Sequence, residues 1–382
     1  MKVLIAVSDS FCGNFIRGQA RYLKEKGNEV VLVSPKGAEV EKIVKSEGCK
    51  HIEVSFSREI SIINDIKSFF KVIKILLKEK PSIVNAGNPK TGLLFTLAGV
   101  FFPSRRIVFT LRGVRSDTLK GVKKEIVRFT EFISCYLADK VIVISPSLFE
   151  HAVKIKILKI DKGILIGKGS SNGIDTSKFM LSERNVIKGK KLRDNLSLNQ
   201  DDILIGFVGR IVRDKGVEEL YEAFKIASEK EENLKLILAG PIEENDTISY
   251  KVLIEMKQNK NVYFLGKKED VTEVFAAIDV LVLYSYREGF GNVVLEASSM
   301  KRPVIVSDIP GARDTVSDKK SGFLIPLNNI ALLSESILIY ARNPELRNMH
   351  GDYGEKRARK FFKSEVIWEG QLDLYKTLVY ET

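Results

Sequence analysis

Cysteine, histidine and tryptophan are scarce: the 382 residues hold three cysteines, three histidines and one tryptophan. Cys12, Cys49 and Cys135 form no pair at metal or redox spacing, and His51, His151 and His350 are scattered. That excludes a disulfide framework and a zinc site, and it implies a reducing compartment. Long apolar runs are also missing. The longest, Gly92 to Phe102 before Pro103, falls short of the ~20 residues that a membrane-spanning helix needs. The opening MKVLIAVSDSFCGN reads as a core strand entering a turn, with too short an apolar run for a signal peptide and no cleavage site. The expectation is a chain that stays in the cytoplasm. No Gly-x-Gly-x-x-Gly follows that first strand, which disfavours a dinucleotide-dependent dehydrogenase. Gly163-Ile164-Leu165-Ile166-Gly167-Lys168-Gly169 is one residue short of a phosphate-binding P-loop and lacks its Ser/Thr.

What is present is an α/β rhythm of the length expected for two domains. Short, β-branched apolar runs alternate with amphipathic helical stretches, the pattern of parallel strands with crossover helices. Seven such runs lie between Val3 and Ile166, among them Val3–Val7, His51–Phe56 and Ile107–Leu111. After a polar, Lys-rich interval from Ser182 to Gln200, six more lie between Leu204 and Ile325, among them Leu204–Val208, Lys235–Ala239 and Val280–Tyr284. Two doubly wound sheets follow, and in these ligands sit beyond the carboxyl ends of the strands. The join falls near Ser170-Ser171-Asn172-Gly173, giving domains at 1–172 and 173–362. The helical stretch 363–382, which carries Trp368, is expected to pack back on the first domain. The net charge of +12 is uneven: residues 1–200 hold 36 Lys+Arg against 19 Asp+Glu, and residues 201–382 hold 25 against 30. A basic half suits nucleic acid, an anionic membrane or a phosphorylated substrate.

Two segments carry chemistry. Gly209-Arg210 and Lys215-Gly216 follow the strand Leu204–Val208, where a glycine admits close backbone approach and two cations can face a diphosphate. A basic loop on a solvated face is the alternative. The second segment, Glu288-Gly289-Phe290-Gly291-Asn292-Val293-Val294-Leu295-Glu296, follows the strand ending at Tyr284 and opens an apolar helix. The amides of residues 290 to 293 can then point at a phosphate or a sugar hydroxyl. Glu296, about one turn into the helix, is placed to accept two hydrogen bonds from a ribose diol, and Glu288 lies ahead of the helix. Alternatively, Glu288 is a charge favoured by the helix dipole and Glu296 an exposed helix residue.

Taken together, the Gly-Arg…Lys-Gly and Glu-x7-Glu segments resemble the signature of retaining GT-B glycosyltransferases of family 4. The resemblance extends over nearly the whole chain, including Asn172-Gly173-Ile174-Asp175…Phe179, Pro303-Val304-Ile305-Val306-Ser307-Asp308 and Ser321-Gly322-Phe323. It is nearest to the bacterial subset that builds capsule, O-antigen or glycoprotein glycans on a polyprenyl diphosphate carrier. The resemblance implies two Rossmann-like domains facing a cleft, an N-terminal acceptor domain and a C-terminal domain for the nucleotide-sugar donor, a UDP-sugar. It implies that Gly209, Arg210 and Lys215 meet the donor diphosphate and Glu296 the ribose. Glu288 and Gly289, with the amides of Phe290, Gly291, Asn292 and Val293, would meet the transferred sugar, and Gly13 would let the first domain close over the donor. It further implies retention through an oxocarbenium-like state, with cations stabilising the departing UDP and a donor phosphate oxygen receiving the acceptor's proton. No cofactor or metal is expected. The sequence has no Asp-x-Asp, and its nearest miss is Glu244-Asn245-Asp246.

Many members of the family carry a histidine after the threonine that ends the fifth strand. Here Thr110-Leu111-Arg112-Gly113 has arginine. Arg112, with Arg115 close by, forms a cationic lip for the donor diphosphate, a uronate, or the acceptor diphosphate; an ion pair with Asp117 is the plain structural alternative. Lys67, Lys71, Lys74 and Lys78 line one face of a helix whose apolar surface comes from Phe69, Phe70, Ile73, Leu76 and Leu77. This is a basic amphipathic helix for the inner, cytoplasmic leaflet, or else a crossover helix with a basic solvated face. Rival readings are a UDP-sugar 2-epimerase on the same fold and a basic nucleic-acid-binding protein. The acidic second half and the lack of an aromatic-interleaved basic motif weaken the latter.

Overall fold

The computed structural model describes residues 1–57, 61–243 and 248–380. They form two compact units, Met1–Gly173 with Ser364–Thr382, and Ile174–Lys363. The first unit is built on β1 (Lys2–Ala6), β2 (Glu29–Ser34), β3 (Lys50–Glu53), β4 (Ile83–Ala86), β5 (Arg106–Leu111), β6 (Lys140–Val143) and β7 (Gly163–Leu165). The strands are all parallel, in the order β3-β2-β1-β4-β5-β6-β7. Helices cover both faces, so the central strands read as mostly apolar runs rather than alternating ones. The period of two survives in where the side chains go. Val3 and Ile5 enter one core, and Leu4 and Ala6 enter the core on the opposite face.

The helix Ser364–Tyr380 belongs to the first of those cores, through Ile367, Leu372 and Tyr375. Two polar links fix it there. Trp368 Nε1 donates to Asn172 Oδ1 at 2.6 Å, and Asn85 Nδ2 on β4 donates to the buried Tyr375 hydroxyl at 2.6 Å.

The second unit is built on β8 (Ile203–Val208), β9 (Leu234–Ala239), β10 (Val262–Gly266), β11 (Val280–Leu283), β12 (Val304–Ser307) and β13 (Gly322–Ile325). They lie parallel in the order β10-β9-β8-β11-β12-β13. In both sheets the order reverses at one place, between β1 and β4 and between β8 and β11. A crevice opens there beyond the carboxyl ends. Among the described residues no helix is long and apolar enough to cross a membrane.

All thirteen runs read as strands from the sequence are strands, with no end shifted by more than three residues. His51–Phe56 is trimmed most, to Glu53, because Val54 and Phe56 turn into the core containing Val72 and Leu76. The polar, Lys-rich interval Ser182–Gln200 contains the helix Glu183–Asn195, whose cap Ser182 accepts from the Asn185 amide. This helix buries Leu192 in the core and is otherwise held by polar anchors. Arg193 Nη1 donates to the Ala277 carbonyl at 2.8 Å and Lys188 pairs with Asp270 at 2.7 Å, so it shows no apolar stripe to a periodicity search. The three cysteines are free thiols.

Candidate active site

At the carboxyl edge of the second sheet, backbone packs on backbone. A Cβ on Gly240, just past β9, would lie 1.7 Å from the Gly209 carbonyl oxygen. One on Gly216 (φ +62°) would lie 2.0 Å from that of Tyr284. Only glycine fits at either place, and the two contacts draw the loops after β8, β9 and β11 together. Gly216 ends a single 3-10 turn, Arg213–Lys215, and so fixes where Lys215 begins.

The result is an ion pair between distant parts of the sequence. Lys215 Nζ lies 2.5 Å from Glu288 Oε1, and Ser285 Oγ donates to the same oxygen at 2.9 Å. The side chains of Lys215 and Glu288 are only 17% and 13% exposed. Glu288 engages one direction of an ammonium that has three donors. Beside it the helix Asn292–Ser299 starts from Gly291 (φ +84°). Among the described residues, the amides of Phe290, Gly291, Asn292 and Val293 have no acceptor; the first amide inside the turn to be satisfied is that of Val294, by the Gly291 carbonyl. Lys215 and this row of donors make a site for a doubly charged oxyanion group.

Phe290 contributes only its amide, because its ring is buried against Phe362 at 5.7 Å. Asn292 Oδ1 is buried with no partner among the described residues. Glu296 is half-buried, and no described residue gives it a hydrogen bond or ion pair. Burial pushes its carboxyl up to about 7, opposed by the charge of Lys178. The two glutamates therefore differ: Glu288 is paired and Glu296 is not. Arg210 does not join Lys215; it is exposed and pairs with Glu243 at 2.8 Å. Glu244-Asn245-Asp246 lies outside the described residues. Ser285 and Gly240 were not singled out from the sequence, although a glycine directly after each of the strands β8 and β9 was a usable signal.

In the first unit, Arg112 follows β5 at the carboxyl edge, next to the reversal between β1 and β4. Its Nε donates to Ser171 Oγ at 2.6 Å, its Nη1 donates to the Gly87 carbonyl, and its guanidinium lies 5.6 Å from the centre of the Phe15 ring. The expected alternative partner, Asp117, is instead 2.7 Å from His151 Nε2. Arg112 has no carboxylate partner among the described residues. Burial lowers its pKa to about 10, which still leaves it charged at neutral pH. A Cβ on Gly87 would lie 2.2 Å from Arg112 Nη1, so a side chain there would displace the guanidinium. Arg115 is exposed, and its amide is fixed by the buried Glu131 at 2.6 Å. Gly13 sits in the 3-10 segment Ser10–Phe15, where a Cβ would meet Ile43 Cδ1 at 3.0 Å, so local packing already accounts for its size.

Lys67, Lys71, Lys74 and Lys78 all point outward from the helix Ile62–Glu79. The apolar surface expected beside them needs correction. Leu76 is core and Phe69 and Ile73 are half-buried, while Phe70 and Leu77 are exposed and are joined by Ile63 and Ile66. Among the described residues no group of three His, Cys, Asp or Glu gathers as a metal ion would require.

Residues 13–166 match the model of Glycosyltransferase Family 4, and residues 189–357 match that of Glycosyl transferases group 1. The capsular polysaccharide biosynthesis glycosyltransferase CapM of Staphylococcus aureus is 36% identical over 380 residues, which are 99% of this chain and 97% of that protein. The chain belongs to the group 1, family 4 glycosyltransferases. Within the family it is also similar to two enzymes whose names give an acceptor. The UDP-Gal:alpha-D-GlcNAc-diphosphoundecaprenol alpha-1,3-galactosyltransferase of Escherichia coli is 30% identical, over 72% of this chain and 70% of that one. The N,N'-diacetylbacillosaminyl-diphospho-undecaprenol alpha-1,3-N-acetylgalactosaminyltransferase of Campylobacter jejuni is 27% identical, over 94% and 93%. Among solved structures, a glycosyltransferase from Rickettsia africae superposes with a TM-score of 0.83 at 18% identity, covering 100% of this chain and 99% of that one. Anabaena HepE in complex with UDP superposes with 0.80 at 18%, covering 99% and 100%. These likenesses show the two-sheet GT-B fold of this glycosyltransferase family.

Proposed function

We propose that this glycosyltransferase moves a hexose or N-acetylhexosamine-type sugar from a UDP-sugar to a polyprenyl diphosphate-linked sugar. The transfer retains anomeric configuration and takes place at the cytoplasmic face of the membrane during assembly of a surface polysaccharide. The observation that carries the reading is the Lys215–Glu288 pair set beside four amides without acceptors at the start of the helix Asn292–Ser299. Preorganised positive charge of this kind is worth most where negative charge develops, on the diphosphate as the glycosidic bond breaks. Arg210 adds a second cation when a diphosphate displaces Glu243. Glu296 takes the ribose diol, Glu288 holds Lys215 and faces the transferred sugar, and a donor phosphate oxygen receives the acceptor's proton. With cations and helix amides neutralising the leaving group, the chemistry asks for no metal. The acceptor type is supported by the relatives named for diphosphoundecaprenol-linked sugars, and UDP by the HepE complex.

The test is incubation with a panel of UDP-sugars, following UDP release with and without a polyprenyl diphosphate sugar and assigning the anomer of the product. Release that ignores the acceptor, or an inverted product, would overturn the reading.

In this scheme Arg112 meets the acceptor diphosphate, since a shielded guanidinium with no carboxylate partner among the described residues is a ready oxyanion site. Arg112→Ala should raise the acceptor KM and lower kcat/KM about 30-fold, the worth of one charge-assisted hydrogen bond. Arg112→Lys should recover little, because an ammonium cannot serve Ser171, the Gly87 carbonyl and a phosphate from one plane. A change confined to the donor KM would move Arg112 to the donor.

A further inference from the structure

We propose that a cavity at the amino edge of the first sheet binds the phosphate of an anionic phospholipid and so seats this unit on a bilayer. The inference rests on the membrane part of the proposed function, and it concerns a place that takes no part in transfer. Ser82 precedes β4 and Arg106 opens β5, so the cavity lies at the opposite edge of the sheet from Arg112. Its volume is about 360 Å³, room for a small polar group, and Lys80, Ser82, Ser104, Arg105 and Arg106 line it.

The charges around it are unbalanced. Arg106 is engaged, by Asp139 at 3.5 Å and the Leu378 carbonyl at 3.1 Å. Glu79, next to Lys80, is taken by Lys50 at 2.7 Å and Lys2 at 3.7 Å. Among the described residues neither Lys80 nor Arg105 has a carboxylate partner, and the hydroxyls of Ser82 and Ser104 have no hydrogen-bond partner. Arg105 is half-buried and stacked 4.3 Å from the centre of the Phe102 ring, which holds its fork in place. Two unpaired cations with two hydroxyl donors are the chemistry of a phosphate site.

A free phosphate would account for the cations alone. It leaves unexplained Val100 and Phe101, which stand 61% and 66% exposed on the turn leading into the cavity. Phe101 touches Phe69, with ring centres 6.4 Å apart, and so continues onto the helix Ile62–Glu79 with its outward Phe70 and Leu77 and its four lysines. Apolar and aromatic groups interleaved with lysine suit the headgroup layer of an anionic bilayer, where the acyl region takes the former and the lipid phosphates the latter.

The experiment is co-sedimentation of the full chain with phosphatidylcholine vesicles, with and without phosphatidylglycerol. Wild type should bind only the anionic vesicles. Lys80→Gln/Arg105→Gln should weaken that binding about 20-fold, near the worth of two cations at a membrane surface. Ser104→Glu, at an exposed position that packing does not decide, should weaken it as well. Turnover of a short-chain isoprenyl diphosphate sugar should be unchanged in both. If vesicle binding survives both pocket variants but is lost when Lys67, Lys71, Lys74 and Lys78 are all glutamine, the pocket is overturned and membrane docking stands. If wild type ignores phosphatidylglycerol, both fall. If inorganic phosphate binds to wild type and not to the double variant while vesicle binding is equal in the two, the occupant is a free anion and the lipid proposal fails.

Discussion

Lys215→Ala should lower turnover by about 10²- to 10³-fold, the usual loss when one donor to a developing negative charge is removed from a shielded site. The same change strands Glu288, which is 13% exposed and, among the described residues, bonded otherwise only to Ser285. A buried carboxylate without its cation destabilises a fold by several kcal/mol, so loss of activity in this variant alone would be ambiguous. The double variant Lys215→Ala/Glu288→Gln removes the ambiguity. It should regain most of the melting temperature, because a neutral amide can still accept from Ser285, and almost none of the turnover. Recovery of both together would mean that the ion pair only holds the loop and that the leaving group is stabilised elsewhere.

Glu296→Gln should abolish most activity, by about 10²-fold, while making the protein more stable at neutral and alkaline pH. The sign follows from the raised carboxyl, at about 7 in the fold against an ordinary value of 4.5. Between those values the folded chain keeps a proton that the unfolded chain releases. Stability linked to this group is therefore full below about 4.5 and is lost as pH rises through about 7. Above that, glutamine should be the better residue by about 2 kcal/mol, a shift of that size being worth up to 1.36 kcal/mol per unit. In the wild type, donor KM should fall as pH rises through about 7, since the diol needs the charged carboxylate as its acceptor. A variant less stable than wild type at pH 8, or a donor KM flat from pH 6 to 8, would take Glu296 out of the site.

The sheets were legible because a strand buried on both faces is short and mostly apolar, as Ile83–Ala86 and Val304–Ser307 are. The helix Glu183–Asn195 was not, since its attachment runs through Arg193 and Lys188 to a carbonyl and a carboxylate that only the fold brings near. In the site, the glycines and the two glutamates were visible as types at fixed spacing. Their difference in state was not. Whether a glutamate is neutralised depends on a lysine 73 positions away, in the case of Glu288, and on the absence of a partner among the described residues, in the case of Glu296. Likewise the sequence offered Asp117 as a neighbour for Arg112, and the fold gave that aspartate to His151.

The helix Ser364–Tyr380 completes the first unit although 190 residues of the second separate it from the rest of that unit. On the ribosome this imposes an order of events. The second unit leaves the exit tunnel as one uninterrupted piece and can finish folding, while the first, synthesised earlier, must wait with part of the Val3 and Ile5 side of its sheet uncovered until the helix Ser364–Tyr380 emerges. A nascent chain stalled short of residue 364 would thus expose the part of that core that the helix covers. Quality control would meet that apolar face first, and a chaperone would have its longest opportunity there.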